Sequence, residues 1–141
     1  MKTYNTTPKD IKREWHSIDV KGRILGRVAT EIVQLLIGKN KAYFVPHLDC
    51  GDYVVVINSD KVQVTGRKYT NKIYYHHSNY PGGFKEVSLS QQMAKDSTKV
   101  ISMAVRGMLP KNKLQAKRLA RLKVFSGEEH DYKDKIKTNE N

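Results

Sequence analysis

Apolar residues between positions 24 and 36 repeat with the period of an α-helix. Their spacing places all of them on one stripe of a helix surface. The stripe consists of Ile24, Leu25, Val28, Ile32, Leu35 and Leu36. Gly38 follows, and glycine commonly ends helices because it adopts the left-handed backbone conformation. The pattern therefore predicts a helix that ends at Gly38, preceded by a short strand at residues 14–19 that contains Trp15 and Ile18.

The next apolar segment has a different pattern. Residues 53–57 read Tyr-Val-Val-Val-Ile without a polar residue, which is typical of a strand that is buried on both faces. A strand, a helix and a buried strand in succession form a βαβ unit, whose strands are parallel and whose crossover is right-handed. This half of the chain therefore predicts an α/β fold.

Shorter elements are predicted in the middle of the chain. Residues 62–65 indicate a short strand that ends at Gly66, and residues 72–77, which are rich in Tyr and Ile, indicate another strand. The sequence Pro-Gly-Gly at residues 81–83 forces a turn. A helix is expected to begin at residues 88–90.

A second amphipathic helix is predicted to begin at Ser97 or Thr98, because either side chain can cap it. The helix ends before Pro110, and its apolar stripe includes a methionine that we expect to fill the core. The stripe consists of Val100, Ile101, Ala104, Val105, Met108 and Leu109.

A third helix, with Asn112 as its cap, carries cations at intervals of four residues. These cations are predicted to share one exposed face opposite two leucines; they are Lys113, Lys117 and Arg121. Arg118 falls nearer the apolar side, where its aliphatic stem can be covered. A last strand is expected at residues 123–127, so residues 1–127 form a single domain with an N-terminal arm. The polar tail at residues 128–141 is expected to be extended or disordered.

The charge distribution indicates a polyanionic partner. The chain of 141 residues has a formal net charge of +12. Residues 97–126 contain eight Lys or Arg and no Asp or Glu, and residues 61–85 also lack acidic side chains. Like charges at this density repel one another unless a partner supplies negative charge. Nucleic acid is the leading candidate, and a basic face that is merely solvated is the alternative.

Residues 74–84 add aromatic side chains to this charge. They combine tyrosines, two histidines and a Gly-Gly turn, and Arg67, Lys68, Lys72 and Lys85 flank them. Tyr and His can stack on unpaired RNA bases, and glycine allows the backbone to approach a sugar-phosphate chain. An ordinary hairpin loop is the alternative, but the basic flanks favour RNA binding.

Candidate catalytic and metal-binding groups are sparse. His47 and Cys50 lie beside two aspartates, but no second pair of soft ligands completes a zinc site. No glycine-rich phosphate loop follows a strand. A lone cysteine excludes an internal disulfide. The sequence therefore predicts no catalytic residue, metal, cofactor or small-molecule substrate.

Other partner classes receive little support from the sequence. The longest purely apolar stretch, residues 53–57, is far too short to cross a membrane, and the N-terminus lacks the apolar run of a signal peptide. We therefore expect a cytoplasmic protein without a membrane partner. A free RNA-modifying enzyme and a nucleoid DNA-binding protein stay open as alternatives, although the chain lacks a cofactor motif and clear helix-turn-helix spacing.

Several sequence blocks resemble one known family. The blocks are Ala-Val-Arg-Gly-Met-Leu-Pro-Lys at 104–111, Leu-Gly-Arg at 25–27, Gly-Asp-Tyr-Val-Val-Val at 51–56, Thr-Gly at 65–66, His-His-Ser at 76–78 and Gly-Gly at 82–83. Together they resemble the bacterial form of the thirteenth protein of the large ribosomal subunit. The resemblance implies a three-layer α/β/α fold with a mostly parallel sheet of about four strands. It also implies a non-enzymatic constituent of the ribosome that binds 23S-type rRNA, contacts neighbouring large-subunit proteins and acts early in assembly. A secondary role in messenger RNA binding and translational regulation stays open.

Charge, aromatic content and this resemblance together predict two RNA-binding segments. The first consists of Arg67, Lys68, Lys72, His76, His77, Tyr80, Gly82, Gly83 and Lys85, and the second of Arg106, Lys111, Lys113, Lys117, Arg118 and Arg121. The chain departs from the family pattern at residues 113–117, where many members have Leu-Gly-Arg, and at Asp131-Tyr132, where a His or Pro is common. Contacts made by the family's tail are therefore not carried over.

Overall fold

A computed structural model describes residues 2–139 of the chain. The strands are β1 Trp15–Asp19, β2 Tyr53–Ile57, β3 Ile73–His77, β4 Phe84–Ser88 and β5 Leu122–Val124. The helices are α1 Leu25–Ile37, α2 Lys68–Asn71, α3 Leu89–Lys95, α4 Ser97–Met108, α5 Gln115–Ala120 and α6 Lys133–Asn139. Single turns of 3-10 helix occupy Pro8–Asp10 and Ser59–Lys61.

The central sheet has three parallel strands in the order β1-β2-β5. Trp15 pairs with Tyr53, and Val54 pairs with Leu122. The predicted βαβ unit is therefore confirmed, and β2 is the buried middle strand. The short strand predicted at residues 62–65 does not form, because Gln63 makes its backbone hydrogen bonds with Arg23 and Leu25, at the start of α1. Those bonds amount to one isolated bridge, between Ile24 and Gln63.

One face of the sheet packs against α1 and α4. Val54 and Val56 of β2 contact the apolar stripes of both helices in one buried cluster. The cluster includes Val28, Ile32, Leu36, Val100, Ile101 and Val105. Each such side chain contributes about 1.5–3 kcal/mol when fully buried. The predicted stripes therefore hold the two long helices on the sheet.

The ends of these helices follow local chemistry. Gly38 ends α1 with φ of 82°, and a Cβ there would lie 2.4 Å from the carbonyl oxygen of Cys50, so only glycine fits. The cap of α4 is Asp96, one residue before the predicted pair, and its carboxylate accepts a hydrogen bond from the backbone N–H of Thr98. Met108 is 45 % exposed and not in the core as predicted, whereas the next residue, Leu109, is buried at 2 % exposure.

The opposite face of the sheet is covered by the C-terminal segment. Trp15 stacks on Tyr53 with 4.3 Å between ring centroids and on Tyr132 with 5.1 Å. The ammonium of Lys135 lies 4.9 Å from the Trp15 ring. The prediction that residues 128–141 are extended or disordered is wrong as far as residue 139, because α6 forms within them; residues 140 and 141 lie outside the described residues. The aromatic ring of Tyr132 supplies an apolar contact between this polar segment and the sheet. With α6 in place, the architecture is a three-layer α/β/α fold.

Strands β3 and β4 form a separate antiparallel hairpin. His76 lies opposite Lys85, and His77 lies opposite Phe84. The predicted turn is confirmed at Gly82, whose φ is 73°, and at Gly83, where a Cβ would lie 1.9 Å from the Ser78 hydroxyl.

Candidate nucleic-acid interface

The exposed cations of the second segment lie on and around the C-terminal end of α4 and on α5. Arg106, Lys111, Lys113 and Lys117 are all exposed. The Gln115 side-chain amide donates to the Arg106 carbonyl at 3.0 Å and ties the two helices together. Asn112 is not the helix cap that was predicted; its side chain instead accepts from the Leu114 N–H in the turn before α5. The cations are therefore presented from an ordered turn.

Arg118 and Arg121 lie in the interior instead. Their exposed fractions are 1 % and 6 %. The guanidinium of Arg121 donates to the Asp52 carbonyl at 2.9 Å, to the Leu36 carbonyl at 3.0 Å and to the Asp49 carboxylate. The prediction that Arg121 shares an exposed face with two lysines is wrong, because these three hydrogen bonds hold its side chain in the interior. We therefore leave both arginines out of the candidate interface.

Asp49 is the centre of this buried charge cluster. Arg118 Nε lies 3.8 Å and Arg13 Nη1 3.9 Å from its Oδ1 atom, in addition to the bond from Arg121. Burial lowers the pKa of the Arg121 guanidinium, and the negative charge of Asp49 opposes that effect. The cluster connects the loop before β2 with the turn after α5, so these cations stabilise the fold.

Asp52 has its own set of donors. Its carboxylate accepts from the Lys41 ammonium, from His16 Nε2 at 2.7 Å and from the backbone N–H of Glu14 at 3.1 Å. Burial by itself raises the pKa of Asp52, but these hydrogen bonds outweigh it and hold the pKa below its ordinary value. Glu14, His16 and Asp52 are the one group of three with metal-ligand spacing among the described residues. Because Lys41 and His16 already bond both Asp52 oxygens, this group is an ionic hydrogen-bond network.

The hairpin places aromatic and imidazole side chains in solvent. Tyr75, Tyr80 and Phe84 are more than half exposed, and Tyr75 stacks on Phe84 with 5.8 Å between centroids. His76 and His77 are both exposed. Nδ1 of His77 accepts a hydrogen bond from the backbone N–H of Asn79 at 2.9 Å.

The two glycines of the hairpin turn differ in solvent exposure. Gly82 is exposed, whereas Gly83 is buried under Ser78. Lys85 of β4 is exposed on the hairpin, and Arg67 is exposed at the start of α2. The structure thus brings most of the first predicted segment onto one projecting element.

The two acid-free segments meet at a single groove. Lys68 and Lys72, from the first segment, line a pocket together with Met103 and Gly107 of α4. Met103 and Gly107 also line the adjoining depression that contains Arg106 and Lys111, from the second segment. We call the surface formed by Lys68, Lys72, Met103, Arg106, Gly107 and Lys111 the basic groove.

Some members of this surface are not among the residues predicted from the sequence. Lys99 continues the groove beyond Met103 and Arg106, and Tyr75 and Phe84 add to the exposed aromatic surface of the hairpin. The signal for Lys99 was its position in the acid-free run. The signal for the two aromatics was their strand period, which places them on the same face as His77.

Among the described residues, no helix is both long and apolar enough to cross a bilayer.

Residues 13–131 match the family model described as Ribosomal protein L13. A protein of Agathobacter rectalis named large ribosomal subunit protein uL13 is 50 % identical over 132 residues, which cover 94 % of this chain and 93 % of that protein. Proteins of the same name from Dehalococcoides mccartyi and Legionella pneumophila are 52 % and 48 % identical, each over 94 % of this chain and 92 % of the relative. The chain therefore belongs to the ribosomal protein L13 family.

Proposed function

We propose that this protein is a structural constituent of the large ribosomal subunit and binds the rRNA of that subunit through the basic groove, the nearby exposed cations Lys113 and Lys117, and the β3–β4 hairpin. The observation that carries the proposal is the meeting of two acid-free segments at the basic groove. The family is one of structural ribosomal proteins and not of enzymes. Its relatives are named as proteins of the large subunit.

The distribution of ion pairs supports the binding of an external anion by the exposed cations. The inward-facing cations Arg118 and Arg121 are paired with Asp49. Among the described residues, the exposed cations of the basic groove, together with Lys113 and Lys117, make no ion pair within 4.0 Å. Phosphate groups would supply the missing negative charge.

The side chains of the hairpin favour RNA over duplex DNA as the binding partner. Sequence-specific RNA recognition uses unpaired bases that stack on aromatic and imidazole side chains. Tyr75, His77 and Phe84 share one exposed face, where such bases can stack. The connections between α3 and α4, of one residue, and between α4 and α5, of six residues, differ from the turn of about three to four residues that is typical of a helix-turn-helix motif.

The same arrangement supports action early in subunit assembly. The basic groove lies on α4, which the core holds without any partner. A surface that is already ordered can bind rRNA before neighbouring proteins arrive. The proposal also includes contacts with neighbouring large-subunit proteins and a location in the ribosomes of the cytoplasm.

A salt titration with large-subunit rRNA tests the proposal. If about six cations contact phosphates, affinity should fall roughly a thousandfold between about 50 and 200 mM salt. A matched titration with duplex DNA as competitor separates a nucleoid protein from an rRNA-binding one. A flat salt response, or equal preference for duplex DNA, would contradict the proposal.

A further inference from the structure

The inner part of the basic groove is a pocket of about 340 Å³ between the start of α1 and the end of α4. Its lining is mostly apolar and includes Leu25, Val64, Met103 and Met108. Lys68 and Lys72 complete the lining, and no lining residue is acidic. The volume falls within the range of about 300–1,000 Å³ that is usual for ligand pockets.

The pocket is held open by bonds within the chain. The backbone N–H of Leu25 donates to the Gln63 carbonyl at 2.8 Å, and the N–H of Gln63 donates to the Arg23 carbonyl at 2.9 Å. The Thr30 hydroxyl lies 3.8 Å from the sulfur of Met108. The walls are therefore in place without a ligand.

Two helix glycines keep the pocket empty. Gly26 and Gly107 both line it, and a Cβ at either position would meet no atom within 4 Å. Neither residue has a positive φ. Glycine weakens a helix relative to other residues, and here neither backbone conformation nor close packing requires it. The effect of both glycines is to leave space for another molecule.

The lining favours a ligand with a flat apolar part, which the methionines can contact, and with negative charge beside it, which the lysines can contact. Two methionines, Met103 and Met108, expose 40 % and 45 % of their surface at this place. A polarisable thioether packs well against an aromatic ring. An unstacked RNA base has such a ring, and its backbone carries a phosphate on each side. Arg106 and Lys111 continue the positive surface along which that backbone would run.

On the basis of the proposed rRNA binding, we propose that this pocket holds one unstacked base of the large-subunit rRNA. The base lies between the two methionines, and its flanking phosphates contact Lys68 and Lys72. The pocket thus fixes the position of one nucleotide, whereas the remainder of the basic groove binds the backbone.

A Gly107→Leu variant fills the pocket without a backbone clash. Gly26→Leu fills it from the opposite helix and serves as a second variant if the first does not fold. Gly127→Leu is the matched control, since its Cβ also meets no atom within 4 Å and Gly127 lies outside the pocket. Each variant is first compared with the parent by thermal melting. Its affinity for transcribed large-subunit rRNA is then measured across a salt series, with base-specific chemical probing of the bound RNA.

We expect either filling variant to bind about tenfold more weakly, as is typical for the loss of one base stack, with an unchanged slope of affinity against salt. One base that the parent and the control protect should become reactive. If a folded filling variant keeps both the affinity and the protection pattern of the parent, the pocket proposal is overturned, and an occupant of another class, such as a segment of a neighbouring protein, becomes the better explanation. If the parent itself shows no salt-dependent binding, it is the proposed function that fails.

Discussion

Arg121 and Asp49 form a buried ion pair between residues that are 72 positions apart in the chain. The pair joins the turn after α5 to the loop that leads into β2. Arg121 also bonds the carbonyls of Leu36 and Asp52, so one guanidinium stabilises three separate segments. The basic segment at residues 97–126 therefore contains two inner arginines, Arg118 and Arg121, that stabilise the fold, and outer cations that are exposed to solvent.

Replacement of Asp49 by Asn should destabilise the protein strongly. It leaves Arg121 and Arg118 buried without a counter-charge, and loss of one member of a buried pair costs about 3–5 kcal/mol. Urea denaturation measures the free energy of unfolding. Asp131→Asn, at an exposed position, is the control and should change stability by no more than about 0.5 kcal/mol. Equal stabilities of the two variants would mean that the Asp49 cluster does not hold the fold.

Acid should weaken the fold partly through Asp52. The pKa of this carboxyl is lowered in the folded protein, against the rise that burial alone would give, so the folded state binds fewer protons than the unfolded state. The contribution of Asp52 to the free energy of unfolding is therefore present above about 3.9, the pKa of an Asp in the unfolded chain. It is lost as the pH falls through the lower pKa that Asp52 has in the folded protein. The free energy of unfolding, measured between about pH 6 and 3, should depend less steeply on pH in Asp52→Asn. Parallel curves for parent and variant would show that Asp52 makes no such contribution.

Loss of the Tyr132 ring should release α6 from the sheet. Tyr132 stacks on Trp15, which is the single tryptophan of the chain. Tyr132→Ala should therefore shift tryptophan fluorescence to longer wavelength and cost about 1 kcal/mol of stability. Tyr80→Ala, at a ring that is 74 % exposed, should change neither quantity. An unshifted spectrum in Tyr132→Ala would contradict the docking of the C-terminal segment.

The β3–β4 hairpin should exchange its amide hydrogens quickly in the free protein and slowly in the ribosomal subunit. A two-stranded hairpin with most side chains in solvent is only marginally stable by itself, and most residues of both strands are exposed. Hydrogen exchange with mass spectrometry compares the free and bound states. Peptides from β2, which is buried, should be protected in both. Strong protection of the hairpin before binding would show that it is already rigid.

The elements with local signals could be predicted from the sequence. The stripe of α1, its end at Gly38 and the apolar run of β2 depend on periodicity and on one backbone conformation. Both signals lie within about a dozen residues, so the βαβ unit follows from them.

The features that depend on distant residues could not be predicted in this way. Arg121 points inward because it donates hydrogen bonds there to Asp49 and to two backbone carbonyls. These acceptors are distant in the sequence, so no local pattern indicates them. The helix at 133–139 depends on an aromatic surface that Trp15 supplies from the other end of the chain. For the candidate site, charge composition predicted the exposed lysines, but only the fold shows that Lys68, Lys72, Arg106 and Lys111 share one groove.

Incorporation into large subunits tests the central claim most directly. The test variant carries Lys111→Ala, Lys113→Ala and Lys117→Ala together, and the control variant carries Lys9→Ala, Lys21→Ala and Lys39→Ala, which remove the same charge from exposed positions elsewhere. Both should keep the parental melting temperature, since exposed substitutions change stability by about 0.5 kcal/mol or less.

The measurement is the fraction of each labelled variant that co-sediments with large subunits after a moderate salt wash, in competition with the parent. The test variant should be at least about tenfold depleted, because three phosphate contacts are lost, whereas the control should match the parent. If the test variant enters subunits as well as the control does, the claim that this basic surface binds rRNA is contradicted.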